Sequence, residues 1–517
     1  MKKMTRIIHA PLAAITLGWL AVQLAPNGFG VVPPPDGGYP NFTTAEGTNA
    51  LKNLTTGSGN TGIGWVSLFS ATTASFNTGV GAGTLALNTA DENTATGGGA
   101  LLLNTSGIGN TATGAFALLH NDTGNGNTAT GLNALATNTS GGFNTAVGDA
   151  ALINNVTASD NTAIGAGALE LNTGSENTAV GSGALLFNTA GARNTATGFK
   201  ALFSNTADNN TAYGYQTLSS NTGGNANTAT GYQALLNNTV GSDNTAVGSG
   251  TLAQNINGSS NTAIGESALA SNTQASNNSA MGNFALFNNN GANNTAIGNG
   301  ALISNTSGVN NTALGFSAGS DATTGGGNVY IGSAVAGVAG ESNHTYIRNI
   351  NTTNVSGGGT DTVTVNLSTG LLGHATSSRR YKEDIRPIDD ASEALYRLKP
   401  VSYRYKKEID STQSPAFGLI AEEVAAVNPA MVAHNSDGQP ESIHYEMVNA
   451  MLLNEFLKEH RKVQDQGRKI KEQETTIAEL KKQVQTVVAH AKEQDIKIQR
   501  VSDRIQISSS PVVVTDR

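Results

Sequence analysis

The pentad "NTAIG" at Asn161–Gly165 returns in near-identical form along most of the chain, and its spacing constrains every other reading. The asparagines that open such pentads run from Asn60, Asn77 and Asn93 to Asn311 and Asn328, at twelve intervals of 17 residues and four of 16. A second row, from Leu85, Leu101 and Leu118 to Leu302, is followed three residues later by asparagine each time. A fixed short period marks a solenoid, because one coil cannot bury its own apolar face but stacked coils can. Within a coil, "NTAVG" is short and β-compatible, with alternate residues facing opposite ways. Gly and Asn are expected at the positive-φ corners. Asparagine side chains are expected to bond from coil to coil, with the Leu and Ala rows forming a thin apolar spine. Sixteen steps of about 4.8 Å predict a shaft roughly 75–80 Å long.

Composition agrees with a shaft. Of 517 residues 62 are Gly, aromatics make up 5% and charged residues 13%, too few large side chains for a conventional core. Before Ser377 there are 15 acidic residues and 7 basic ones, a balance that argues against a nucleic-acid partner. With no cysteine, disulfides, thiolate metal sites and a lipid-modified cysteine anchor are excluded. Between Asn60 and Gly332 the 11 Asp or Glu and the single His120 occupy no repeated position, so the Asp ladder of a calcium-binding roll is missing. The adjacent Asp91 and Glu92 invite a paired-carboxylate reading, but two acids in a turn are more often solvated surface. Aligned Thr rows suit strands before they suit ice. No cofactor and no metal are expected.

At the start, Lys2, Lys3 and Arg6 precede an apolar run from Ala10 to Ala25 that is short for a membrane span and holds Pro11 and Gln23. Residues 1–30 therefore read as a secretory signal cut after Gly30. An exported protein is expected, at the cell surface or extracellular, with no membrane span once the signal is gone. Residues 31–59 read as a lead-in, 60–332 as the repeats, and 333–376 as a connector with a strand in "DTVTVNLSTG".

The stretch "NTAIGAGALELNTGSENTAVG" resembles the left-handed parallel β-roll of trimeric autotransporter adhesin heads and related bacterial and phage fibre repeats. That resemblance implies three rolls packed side by side through small, Ala-rich faces. Such adhesins end in a membrane barrel, normally with a terminal aromatic residue. This chain ends at Arg517 after a charged helix, so an autotransporter is not expected.

At Ser377 the chain changes character: 7 of its 29 Lys and Arg lie before that residue and the other 22 after it. The blocks "SSRRYKEDIRPIDDASEALYRLKPVSYRYK", "FGLIAEEVAAVNPAMV" and "IHYEMVNAMLLNEFLKE" resemble the endosialidase-type intramolecular chaperone of phage tail spikes and fibres, also classed as a self-cleaving serine peptidase. That family opens with Ser, usually Asp, then Arg and Lys, with Ser and Lys five positions apart. Ser377 and Lys382 fill those places, and Ser378 stands where Asp is usual. The resemblance implies an α+β domain over 377–455, with Ser377 as nucleophile, Lys382 as base, and a cut between Thr376 and Ser377. A serine hydroxyl needs a base, and lysine serves only when desolvation or neighbouring cations such as Arg379 and Arg380 favour its neutral amine. Spacing five puts two side chains about 140° apart on a helix and on opposite faces of a strand. Tertiary or intersubunit packing is therefore expected to join the pair.

Beyond the domain, Phe456, Val463, Ile470, Ile477, Val484, Ala491, Ile498 and Ile505 recur every seven residues. They predict a three-stranded coiled coil over 456–507, roughly 75 Å long, with a tail over 508–517. Taken together, the sequence predicts a mainly β chain: a trimeric parallel β-solenoid shaft, an α+β chaperone and a trimeric coiled coil. The function expected is an exported homotrimeric fibre or adhesin-like surface protein, folded by a chaperone that cuts itself off. A polysaccharide-binding or -degrading spike enzyme and a ligand-free coat protein are the alternatives. Its expected partner is itself, with a cell-surface glycan or another cell left open.

Overall fold

The computed structural model describes residues 40–350, 363–365, 372–374, 377–435 and 437–508. The expected signal peptide and the cleavage-site residue Thr376 lie outside them. The chain forms two compact units, Met1–Thr353 and Asn354–Arg517.

The first unit is a parallel β-solenoid of nineteen three-residue strands, β1 (Thr44–Glu46) to β19 (Thr345–Ile347), one to a coil. Each strand pairs with the next in exact step with the repeat, so that Thr228 lies beside Thr245 and Ala229 beside Ala246. The solenoid runs one coil beyond each end of the Asn row. There Thr43 and His344 take the asparagine's place, and the His344 N–H still donates to Asn328 Oδ1 at 2.9 Å.

Inside each coil the middle residue of the strand points inward. Ala112, Ala129 and Ala146 are fully buried, as are Leu118, Leu135 and Leu152 of the second row. The Leu and strand Ala rows thus form the expected spine, and these alanines are spent within their own coil. The buried asparagines are paired along the axis. Asn127 donates its backbone N–H to Asn110 Oδ1 at 2.9 Å and its Nδ2 to the same oxygen at 3.2 Å. Its Nδ2 also reaches the Gly141 carbonyl at 2.9 Å. In the second row Asn121 Nδ2 donates to Asn104 Oδ1 at 2.7 Å. Buried amides are tolerated because each finds partners in the coil above or below.

The corners differ from expectation in one respect. Glycine supplies some positive-φ positions, as at Gly131 (φ 137), where a Cβ would lie 2.4 Å from the Gly148 carbonyl oxygen. Asn209, Asn277, Asn293 and Asn310 supply others, with φ between 59 and 62, but the paired asparagines supply none; the leucine row does, with φ between 48 and 55 from Leu51 to Leu302. A left-handed L-residue costs about 1–2 kcal/mol, offset by full burial of a leucine side chain, about 1.5–3 kcal/mol.

The far end of the spine is closed by a change of residues. Where the leucine row would continue stands Gly319, and where the alanine row would continue stands Tyr330, which is fully buried. A Cβ on Gly319 would lie 2.7 Å from the Tyr330 ring, so the tyrosine occupies the space a leucine would take. Tyr346 stacks on Tyr330 with centroids 5.7 Å apart. Both hydroxyls donate to Glu341, at 2.9 Å from Tyr330 and 2.7 Å from Tyr346.

The second unit is α+β. Its antiparallel pairs are β20 (Val363–Val365) with β21 (Leu372–His374), β22 (Val401–Tyr403) with β23 (Ala416–Gly418), and β24 (Val432–His434) with β25 (Pro440–Ile443). Two helices follow the 3-10 segment Asp389–Arg397: α1 (Ala421–Val427) and α2 (Tyr445–Ser508). A small core joins Val424, Met431 and Val432 to Val448 and Met451 on the first turns of α2. Burial stops abruptly along α2: Glu455 is buried, whereas Phe456 is 68% exposed. The helix thus begins inside this small core and continues as a bare rod. Among the described residues no helix is long and apolar enough to cross a membrane.

Candidate functional site

Ser377 follows β21 and opens the stretch 377–435, and after Ser378 in extended backbone comes a single 3-10 turn, Arg379–Tyr381. Ser378 caps that turn, accepting from the Arg380 N–H at 3.4 Å and from Arg380 Nε at 3.2 Å. Lys382 closes it, extended again at φ −126 and ψ 134, with its N–H on the Arg379 carbonyl at 3.2 Å. Two extended arms on one tight turn fold back toward each other, and the lysine stem spans the gap. Lys382 Nζ donates to Ser377 Oγ at 3.0 Å.

This corrects the expectation that only tertiary or intersubunit packing could join the pair. The chain between them is neither α-helix nor strand, so the angular argument from those two geometries does not apply. Ser is a favoured N-cap residue, and Ser378 serves as one here. Arg380 stacks over the Tyr381 ring at 5.6 Å. Ser377 and Lys382 are both exposed.

A second constellation, not foreseen from the sequence, fastens Asp389–Arg397 to α2. Glu455 accepts from Ser392 Oγ at 2.5 Å, from Tyr396 OH at 2.9 Å and from Lys458 Nζ at 2.8 Å. Asn454 Nδ2 donates to Ser392 Oγ at 2.7 Å and to the Asp389 carbonyl at 2.9 Å. Lys458 and then Ser392 draw the Glu455 carboxyl down to about 2, against the opposing effect of burial and with further help from Tyr396. The sequence does carry a signal: Glu455 continues the apolar face of Val448 and Met451 at helical spacing, a carboxylate where a core residue would stand.

The repeat acids form no comparable group. Asp91 and Glu92 are exposed, and Asp91 accepts the Ser75 N–H at 2.8 Å, a contact between adjacent coils. Among the described residues no three His, Cys, Asp or Glu side chains gather as a metal site would need.

Residues 377–433 match the family model described as chaperone of endosialidase. No curated protein and no solved structure matches the chain. The matched segment begins at the serine of the Ser–Lys pair, after a long parallel β-solenoid. That combination fits a tail-fibre- or spike-like protein carrying an intramolecular chaperone domain.

Proposed function

We propose that this protein is an exported homotrimeric fibre whose C-terminal domain aligns three chains, drives their folding and then cuts itself off before Ser377. The observation that carries the reading is the 3.0 Å contact between Lys382 Nζ and Ser377 Oγ at the head of the chaperone-like segment. The physical need is clear in the solenoid. Near-identical coils can pair one coil out of step at little cost, as strands with a repeated pattern do. A C-terminal clamp removes that ambiguity and the entropy of bringing the chains together.

The clamp is α2 acting as a three-stranded coiled coil. Its heptad side chains Val463, Ile470, Ile477 and Val484 are between 51% and 61% exposed, a seam that the single chain leaves bare.

In the cleavage step, Ser377 Oγ bonds to the carbonyl carbon of Thr376 while Lys382 takes the hydroxyl proton. The Thr376–Ser377 C–N bond breaks, and the proton passes to the Ser377 nitrogen. Water then hydrolyses the resulting ester, leaving a carboxylate on Thr376 and a free Ser377. For the amine to act as base it must be neutral, which withdrawal from water favours. Assembly that covers this exposed pair therefore makes cleavage report finished folding.

Mass spectrometry of the folded protein tests the reading. The expected product is a fragment of 141 residues, Ser377 to Arg517, absent from Ser377→Ala and Lys382→Ala, both still trimeric. A wild-type chain intact through Thr376–Ser377 would mean that the peptidase step does not occur.

A further inference from the structure

With the alanines turned inward, the outward face of each solenoid strand belongs to its first and third residues. In the earlier coils the third position is mixed, apolar or aromatic at Ile63, Val80, Val147, Ile164, Val180 and Tyr213 and polar elsewhere. It is Thr at Thr96, Thr113 and Thr130, all exposed. In the last seven coils, from Val247 to Ile347, it is apolar without interruption, with Ile297 and Leu314 near the middle. These seven side chains are between 37% and 49% exposed although each has a coil stacked on it. At about 4.8 Å per coil they form a straight strip roughly 29 Å long.

Strand geometry alone does not call for this. Threonine interrupts the apolar residues at this position in the earlier coils, at Thr96, Thr113, Thr130, Thr197 and Thr230, so the run of seven without a break needs another reason. We propose that the three shafts pack on one another along this strip, while the coils around Thr113 face solvent. The inference rests on the trimer proposed above and specifies where its shafts meet.

A second copy is the occupant that the chemistry favours. No third-position residue after Glu46 carries a charge, so parallel copies meeting coil to coil bring no like charges together. The strand N–H and C=O groups are already paired within the sheet, so a partner seeking hydrogen bonds from the backbone finds few. The same chain carries the exposed heptad seam of α2, a second apolar strip with no partner of its own. Two such strips on one chain are both covered by self-association. The strip also supplies what holds the shafts after cleavage removes the clamp, since the buried alanines cannot.

The chain has no cysteine, so single cysteines report contacts without background. In the full-length protein, Ile297→Cys and Leu314→Cys are compared with Thr113→Cys by oxidative cross-linking, alongside the assembly mass. The expected result is a three-chain mass, with covalent dimers several-fold more abundant at Ile297 and Leu314 than at Thr113, at a yield independent of protein concentration. A three-chain mass with no excess at Ile297 and Leu314 would overturn the strip and leave the trimer standing. A one-chain mass would overturn both.

Discussion

Lys382 donates a hydrogen bond to Ser377 across 3.0 Å, and the five-residue span between them is closed by one 3-10 turn. The contact is local, so the pair is aimed before any chains meet. What assembly can add is exclusion of water, because both side chains are exposed in the single chain. On the proposed reading orientation and activation are separated: the turn provides the first, and the proposed trimer would provide the second.

If the turn provides orientation, its cap sets the rate. Ser378→Ala removes the acceptor for the Arg380 N–H, a loss of about 1 kcal/mol for an N-cap, or roughly fivefold in the fraction aligned. Cleavage is expected to continue at about a fifth of the wild-type rate, with Ser378→Asp restoring it. Time courses of fragment release by gel would check this, and an unchanged rate in Ser378→Ala would show that the cap is irrelevant.

Placing charges in the α2 seam tests the clamp. Ile477→Asp combined with Val484→Asp puts six carboxylates into a three-stranded core with no partner for them, a severe cost for buried charge. Light scattering is expected to give single chains, uncut at Ser377. A normal trimer from this double variant would mean that α2 is not the clamp.

The Glu455 constellation makes the second unit acid-sensitive in a defined window. The folded carboxyl titrates at about 2 against 4.5 ordinarily, so its contribution to stability is fully present above pH 4.5 and is lost as pH falls through about 2. Melting curves of wild type and Glu455→Gln should therefore converge as pH drops across that interval. Curves that stay parallel down to pH 2 would separate this carboxylate from the acid response.

The second asparagine row ends one rung early. Asn305 Oδ1 is buried without a partner, and the next rung is Ala322, which has no amide to offer. Asn305 Nδ2 donates to the Gly308 carbonyl at 3.0 Å, and Gly325 stands at the matching place after Ala322. Ala322→Asn is expected to complete both bonds and stabilise the last coils by about 1 kcal/mol. Amide hydrogen exchange slowed in residues 305–330 would be the sign, and faster exchange would mean that the larger side chain does not fit.

Much of the shaft was legible because repetition repeats the same physics at every coil. Asn110 and Asn127, or Leu118 and Leu135, must occupy equivalent places, so a row in the sequence becomes a row in space. The places where the reading failed are those a period cannot encode. Spacing does not say which residue of a coil takes the left-handed corner, and the buried leucines took it. At the solenoid's end, Tyr330 and Glu341 answer the loss of the leucine row at Gly319, a non-repeating contact with no periodic trace.

In the second unit the balance reverses. The order and identity of its blocks, and the candidacy of Ser377 and Lys382, were written in the sequence. Their contact was not, because it depends on a turn that neither helical nor strand periodicity describes. The Ser392–Glu455 clasp joins residues 63 positions apart, and only folding brings such a pair within reach. Sequence alone determined the coil, its rows and the apolar heptads, since these follow from local period and burial. Tertiary structure decided which surfaces remain outside once each chain has buried what it can, because exposure is a property of the packed chain and not of any one residue.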